Sequence, residues 1–463
     1  MIEKSIEFAT ILEIGALIRA KKLSAVALTT LMLDRIERLE ETLNAFITVT
    51  SDLALERAQL ADSELASGRD RGPLHGIPIA VKDLISTKGI VTTGGSRYYE
   101  NRVPESDAAV VARLSVAGAV LLGKTGLHEM AFGSTSINPY FGAISNPWKL
   151  DHHPGGSSGG SAVAVAAGLA YAAIGTDTGC SVRQPAQCCG IVGHKPTFGL
   201  VSRAGVMPLV ESMDHVGPLA RTVRDAALVL RAIQGVDSND PDSVDHVEGD
   251  YVMQMNKPLD GTVVGVPRRF FFTGGDPEVV DLVDKALKSF KELGVQVVDM
   301  DLPDVDRALD EADVTFSEIA HANGDAMAED PQAFSDAFRR RYASVTQWSD
   351  SDYEAAQKFR REFKEKVAGV MNRCDVLAMP TSTVAAAPIA EQPRDHAVQR
   401  RKNACIFNFT GQPAISIPCG FTAAGLPVGM MLVGRNFEDA TVFRFAHAFE
   451  EATPWHLRHP DIS

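Results

Sequence analysis

Eight short apolar runs, each bounded by glycine or proline, do most to limit what this chain can fold into: residues 77–81, 119–122, 171–174, 263–266, 295–298, 376–379, 414–417 and 429–432. Consecutive apolar positions over so few residues suit strands buried on both faces. Segments of helical period separate them, at 108–117, 223–233, 279–293, 353–371 and 440–450. Strand and helix alternating in this way imply an α/β fold, a single large mixed β-sheet covered by helices on both faces. With 463 residues there is ample chain for one large core, and residues 1–463 read as a single domain. Within it, residues 1–70 are expected to form a helical N-terminal cap, because Ser24 and Ser51 each precede a periodic stretch. The charged, helix-rich segment 304–374 is expected to be an appended cover, and the polar stretch 237–250 a surface excursion.

Charge and cysteine usage narrow the function classes. A formal net charge of −14 gives no overall basic footprint for nucleic acid or an anionic membrane. Six cysteines in so long a chain, none in a CxxC pattern, make no disulfide framework or zinc site, and point to reduced thiols in a cytoplasmic protein. The first fifteen residues carry acids inside their apolar stretch, unlike a secretion signal. The small apolar run 161–174 is shorter than the roughly 20 residues that span a bilayer. The twelve histidines show no ligand spacing such as HExxH, so no metal is expected.

Three motifs compete to carry chemistry. Gly118 to Thr125 matches the phosphate-loop pattern letter for letter, but its four intervening residues are themselves the apolar strand and a helix precedes them. Gly155-Gly156-Ser157-Ser158-Gly159 fits the nucleophile-elbow pattern, yet a polar, proline-ended stretch comes before it where an elbow needs a strand. The third motif contains the second and is far longer. It runs from Gly155 to Ser161, through an Ala-rich segment, to Gly175-Thr176-Asp177-Thr178-Gly179-Cys180-Ser181-Val182-Arg183-Gln184-Pro185, and closes at Lys195-Pro196-Thr197.

This third motif resembles the signature of the amidase signature family, whose members hydrolyse amide bonds with a Ser-Ser-Lys triad on a mixed α/β sheet. The stretches 76–83, 126–133, 409–418 and 425–429 resemble other parts of the family pattern, so the likeness extends over nearly the whole chain. Carried across residue by residue, it makes Ser181 the nucleophile, Ser157 the bridging serine behind a cis peptide bond, and Lys82 the base. Backbone N–H groups of Thr178, Gly179, Cys180 and Ser181 would form the oxyanion hole. Position 180 departs from the family, which usually has glycine there, and the Cys180 side chain is expected to narrow the pocket. Met130 and Phe132 are candidate walls of that pocket, or simply core.

The chemistry asks for such an arrangement. A serine hydroxyl attacks a carbonyl only when a neutral base takes its proton, and a lysine can serve once burial disfavours its charged form. Lys82 follows an apolar run that would carry its amine inside the fold. Lys195 reads as structural, and Asp177 and Arg183 as braces of the nucleophile turn. For His396, Arg400 and Arg401 there are two readings, a contact with a polar end of the substrate and, preferred, a solvated helix face.

The reading is therefore an amidase cleaving a C–N bond of a small molecule, an amide, anilide, carbamate or urea, through a Ser181 acyl-enzyme without a cofactor. Partners in nucleic acid or membrane are not expected, and a homodimer is left open. The triplet Arg183-Gln184-Pro185 suggests an alternative, the glutaminase subunit of a tRNA-dependent amidotransferase, against which the 338–342 and 358–363 stretches look more like free-standing amidases. A non-catalytic binding module on the same fold is the remaining alternative.

Overall fold

Eleven strands join into one mixed sheet in the computed structural model, which describes residues 6–246, 249–392 and 396–462. Residues 1–5, 247–248, 393–395 and 463 lie outside that description, and with them the start of the N-terminal cap and part of the 237–250 excursion. In chain order the strands are β1 (Phe46–Val49), β2 (Pro78–Lys82), β3 (Val120–Thr125), β4 (Ala172–Asp177), β5 (Val192–Lys195), β6 (His215–Ala220), β7 (Val263–Val266), β8 (Gln296–Asp299), β9 (Val376–Pro380), β10 (Ala414–Phe421) and β11 (Pro427–Val433). Their order across the sheet is β1-β3-β2-β4-β6-β5-β10-β11-β9-β7-β8. Every residue of β2, β4, β6, β9 and β11 is buried. Successive side chains of a strand point to opposite faces, so both faces of the sheet are covered.

All eight apolar runs are strands, and three further strands carried weaker signals. β1 lies at the sheet edge inside the expected helical cap, which therefore supplies sheet as well as the helices Ile11–Arg19, Ala25–Leu43 and Ser51–Ala66. β5 ends on buried His194 and Lys195, and β6 contains His215 and Pro218, residues that break an apolar pattern. Caps set the helix boundaries. Ser24 Oγ accepts from Ala27 N at 3.0 Å, and Asp276 followed by Pro277 starts a helix two residues before its periodic part. Within 304–374 stand the helices Val305–Thr315, Ile319–Glu329, Asp336–Val345 and Asp350–Met371.

Topology brings three loops to one edge of the sheet. β2 runs parallel to β3 and to β4, with Lys82 opposite Thr125 and Val81 opposite Ile174. Their carboxyl ends therefore share an edge, where open α/β sheets place their sites. The helix Gly159–Ala166 begins beside that edge. A Cβ at Gly160 would stand 2.4 Å from the Ala45 carbonyl oxygen and 2.5 Å from Gly126 N, so only glycine lets this helix approach so closely.

Candidate active site

Lys82, the last residue of β2, points inward and is fully buried. Its Nζ lies 2.7 Å from Ser157 Oγ and donates to Thr176 Oγ1 at 2.8 Å. Burial pushes the amine down to about 7, against the opposing pull of the Asp177 and Asp214 carboxylates. A large neutral fraction thus exists near pH 7. Thr176 was not singled out from the sequence, although it stands within the third motif. Its hydroxyl takes one amine proton and leaves the lone pair for Ser157.

Ser157 follows a cis peptide bond from Gly156. Its carbonyl accepts from His128 N at 3.1 Å and Ser136 Oγ at 3.2 Å, and Gly156 N donates to Gln184 Oε1 at 2.9 Å. These contacts fix the serine between β2 and the loop after β4. That loop is joined to it by Ser158 N, which donates to the Ser181 carbonyl at 3.2 Å. Among the described residues no hydrogen bond links Ser157 Oγ to Ser181 Oγ. Such contacts often tighten only around substrate.

The turn from 177 to 183 is braced by a buried ion pair. Arg183 Nε and Nη2 donate to the two oxygens of Asp177, at 2.9 and 2.8 Å, while Val182 N also donates to Asp177 Oδ2. Asn408 adds donors to the Asp177 carbonyl and carboxylate. Burial works to raise the Asp177 pKa, but Arg183 and these hydrogen bonds outweigh it and hold the carboxyl below its usual range. Both residues are bracing groups, as expected. Lys195 is likewise structural, its Nζ donating to the Pro196 carbonyl at 3.0 Å.

Held in this way, the backbone N–H groups of Thr178, Gly179, Cys180 and Ser181 find no acceptor among the described residues. Four successive unpaired donors beside a cavity suit an oxygen that gains negative charge. Thr178 Oγ1 donates to Asp214 Oδ1 at 2.5 Å, and Leu209 N and Val210 N donate to Asp214 Oδ2. Burial raises Asp214 to about 6. Sequence reasoning did not identify Asp214, which lies 33 residues beyond Ser181 with no local pattern to mark it.

A cavity of about 360 Å³ opens onto this turn, lined by Phe132, Cys180, Ser181, Phe316, Trp348 and four charged residues, among others. Cys180 lines it, its Sγ 3.9 Å from the Gly156 carbonyl, and burial pushes its thiol up to about 12. Phe132 is a wall residue, stacked on Phe316 at 5.9 Å. Met130 is not. Its backbone is left-handed, φ 49°, and its sulfur packs toward Gly94. The cover is tied to the site by Glu318, which accepts from Ser212 N, Ser212 Oγ and Tyr353 OH.

Arg400 and Arg401 overturn one expectation. They line the cavity, and Arg400 is 5% exposed, because their segment folds over the site and not out into solvent. Lys124 of the phosphate-loop pattern is buried in β3, where it donates to the Ile85 carbonyl and Thr92 Oγ1 at 2.7 Å and lies 3.3 Å from Asp83. It is committed to the fold. Among the described residues, the grouping closest to a metal-binding set is His447, Glu450 and Glu451, where Glu450 already accepts from Val223 N at 2.8 Å. No helix of the described residues is long and apolar enough to cross a membrane.

Comparison with known proteins gives the family. The Amidase family model matches residues 27–443. The subunit of glutamyl-tRNA(Gln) amidotransferase lettered A, from Marinomonas sp. (strain MWYL1), is 39% identical, over 96% of this chain and 97% of its own. Among solved structures, the protein of the same name from Thermotoga maritima is 35% identical with a TM-score of 0.83, covering 98% of this chain and 97% of its own. A structure described as a vestigial protein complex that reveals the evolutionary origins of an s-triazine catabolic enzyme is 31% identical with a TM-score of 0.91, covering 96% and 98%.

Proposed function

The chain belongs to the amidase signature family, enzymes that hydrolyse carbon–nitrogen bonds other than peptide bonds, and from that premise we propose that it cleaves a carboxamide through an acyl-enzyme on Ser181. The observation that carries this reading is the buried Lys82 amine, 2.7 Å from Ser157 Oγ and poised near neutrality. Neutral Lys82 draws the proton of Ser157, Ser157 draws that of Ser181, and Ser181 Oγ bonds to the amide carbon. The carbonyl oxygen, now negative, meets the N–H groups of the 178–181 turn. The relayed proton then goes to the departing nitrogen, which leaves as ammonia or an amine. Water, activated by the same relay, cleaves the ester and restores Ser181.

For substrate and partners, the amidotransferase relatives favour the reading that the sequence put second, an ammonia-releasing subunit of a tRNA-dependent amidotransferase. A free-standing amidase on a small polar amide is the second reading, supported by the cationic cavity and by the likeness to a solved structure described simply as an amidase. The test is ammonia release from glutamine and from simple primary amides, by the chain alone and with candidate partner subunits. Intact mass of trapped enzyme detects the acyl group, and peptide mapping locates it. Activity only with partners supports the first reading, and turnover by the chain alone supports the second. An acyl group elsewhere than Ser181 would refute the mechanism common to both.

A further inference from the structure

Two cavities flank the turn that carries Ser181. Besides the one already described, a second of about 310 Å³ reaches Thr176, the partner of Lys82, and is lined also by Arg203, Asp214 and His215 among others. Ala131, Thr178 and Leu209 line both cavities and so form the partition between them. Side chains with open space on two sides have few neighbours to hold them. Hydrogen bonds must supply the order that packing does not.

The turn is well tied at both ends and thinly in its middle. The Ser181 carbonyl accepts from Ser158 N, the Cys180 carbonyl accepts from Gln184 N at 2.8 Å, and Val182 and Arg183 are bonded to Asp177. Asp177 is the last residue of β4, opposite His215 of β6. Between these anchors stand Thr178 and Gly179. Among the described residues their one hydrogen bond is that from Thr178 Oγ1 to Asp214 Oδ1, at 2.5 Å. The other oxygen of Asp214 accepts from Leu209 N at 2.8 Å and Val210 N at 3.1 Å. One carboxylate thus secures two of the partition residues. Its own backbone is anchored, because Asp214 N donates to the Val210 carbonyl at 2.8 Å and β6 starts at the next residue.

We propose that Asp214 is a positioning residue for amide cleavage, which through the Thr178 hydroxyl aims the backbone donors of 178–181 at the carbonyl oxygen. The inference rests on the hydrolytic reading of Ser181 and holds whether or not partner subunits are needed. Asp214 touches no reacting atom. Its effect lies in where the donors stand as the oxygen turns negative, and a misplacement of about 1 Å can cost ~10²-fold in rate. Its charge also bears on Lys82, so a substitution at Thr178, which leaves the carboxylate in place, separates aim from basicity.

The test uses Thr178→Val, which keeps the shape and removes the hydroxyl, Thr178→Ser, which restores the hydroxyl, and Asp214→Asn, in the assembly that proves active. Rates are read at pH 8, above the values of both Lys82 and Asp214. Thr178→Val and Asp214→Asn should each lower kcat for a primary amide ~10²-fold while KM changes less than ~3-fold, and Thr178→Ser should recover most of the loss. A second arm needs no turnover. An alkylboronic acid bonds through boron to Ser181 Oγ, whose proton passes by Ser157 to Lys82, and an oxygen on the negatively charged boron takes the place of the carbonyl oxygen. Its affinity should fall with kcat in Thr178→Val and return in Thr178→Ser. Wild-type kcat and boronate affinity in Thr178→Val, or equal losses in Thr178→Val and Thr178→Ser, would overturn the assignment. A lowered melting temperature with both quantities intact would overturn it too, by showing a bond that serves stability alone. A boronic acid that binds wild type without bonding to Ser181 would instead count against the hydrolytic reading.

Discussion

The pH dependence of acylation follows directly from the Lys82 environment. Burial lowers this amine to about 7, and only its neutral form accepts a proton from Ser157. The sign is that of an acid limb: as pH falls through 7, Lys82 gains a proton and activity is lost. With simple titration the neutral fraction is about half at pH 7 and about 1% at pH 5, so kcat/KM should fall roughly 50-fold over that interval. Other charged groups nearby shift the limb without creating it. Asp177 stays ionised throughout, and Asp214, raised to about 6, is ionised above that value and helps hold the Lys82 proton. Asp214→Asn should therefore move the limb to lower pH. Initial rates of ammonia release at subsaturating amide, from pH 5 to 9, read the profile, and circular dichroism checks that the fold persists. A profile flat from pH 5 to 8 in folded enzyme, or a midpoint near the ordinary lysine value, would refute a neutral Lys82 base.

Two further expectations use single substitutions. Ser181→Ala should lower kcat by roughly 10⁴-fold or more, because the attacking atom is gone, with little change in melting temperature; full activity would remove Ser181 from the mechanism. Gly160→Ala would set a Cβ 2.4 Å from the Ala45 carbonyl and 2.6 Å from that of Gly126, both backbone atoms that cannot swing aside, and should cost about 1–3 kcal/mol. An unchanged denaturation midpoint would show that the helix Gly159–Ala166 does not need that approach.

Much of this was legible because strand patterns and the long glycine-rich motif are local. The apolar runs mark eight of eleven strands, and the motif brings Ser157 and Ser181 forward together. What the sequence hid is non-local. β5 and β6 are buried strands whose His194, Lys195, His215 and Pro218 look like surface residues until their neighbours supply partners. Arg400 and Arg401 form a charged doublet that reads as solvated in isolation, and only the fold reveals that they face Ser181. Met130 is not in the cavity wall because its sulfur packs toward Gly94, a non-local contact that composition does not show. Asp214 and Thr176 act through hydrogen bonds to Thr178 and Lys82, contacts that no spacing rule encodes.

The groups proposed to break the bond stand at the end of β2, just before the helix Gly159–Ala166 and after β4, whereas Phe316, Arg341, Trp348 and Arg400 reach the same cavity from far downstream in the chain. Apart from Phe132 and Cys180, which come from the upstream part of the chain, much of the cavity wall is thus written in a separate stretch of the polypeptide. Recombining the downstream stretch with that of a relative would exchange appetite while conserving the reaction, a division of labour by which one scaffold can serve many metabolic niches.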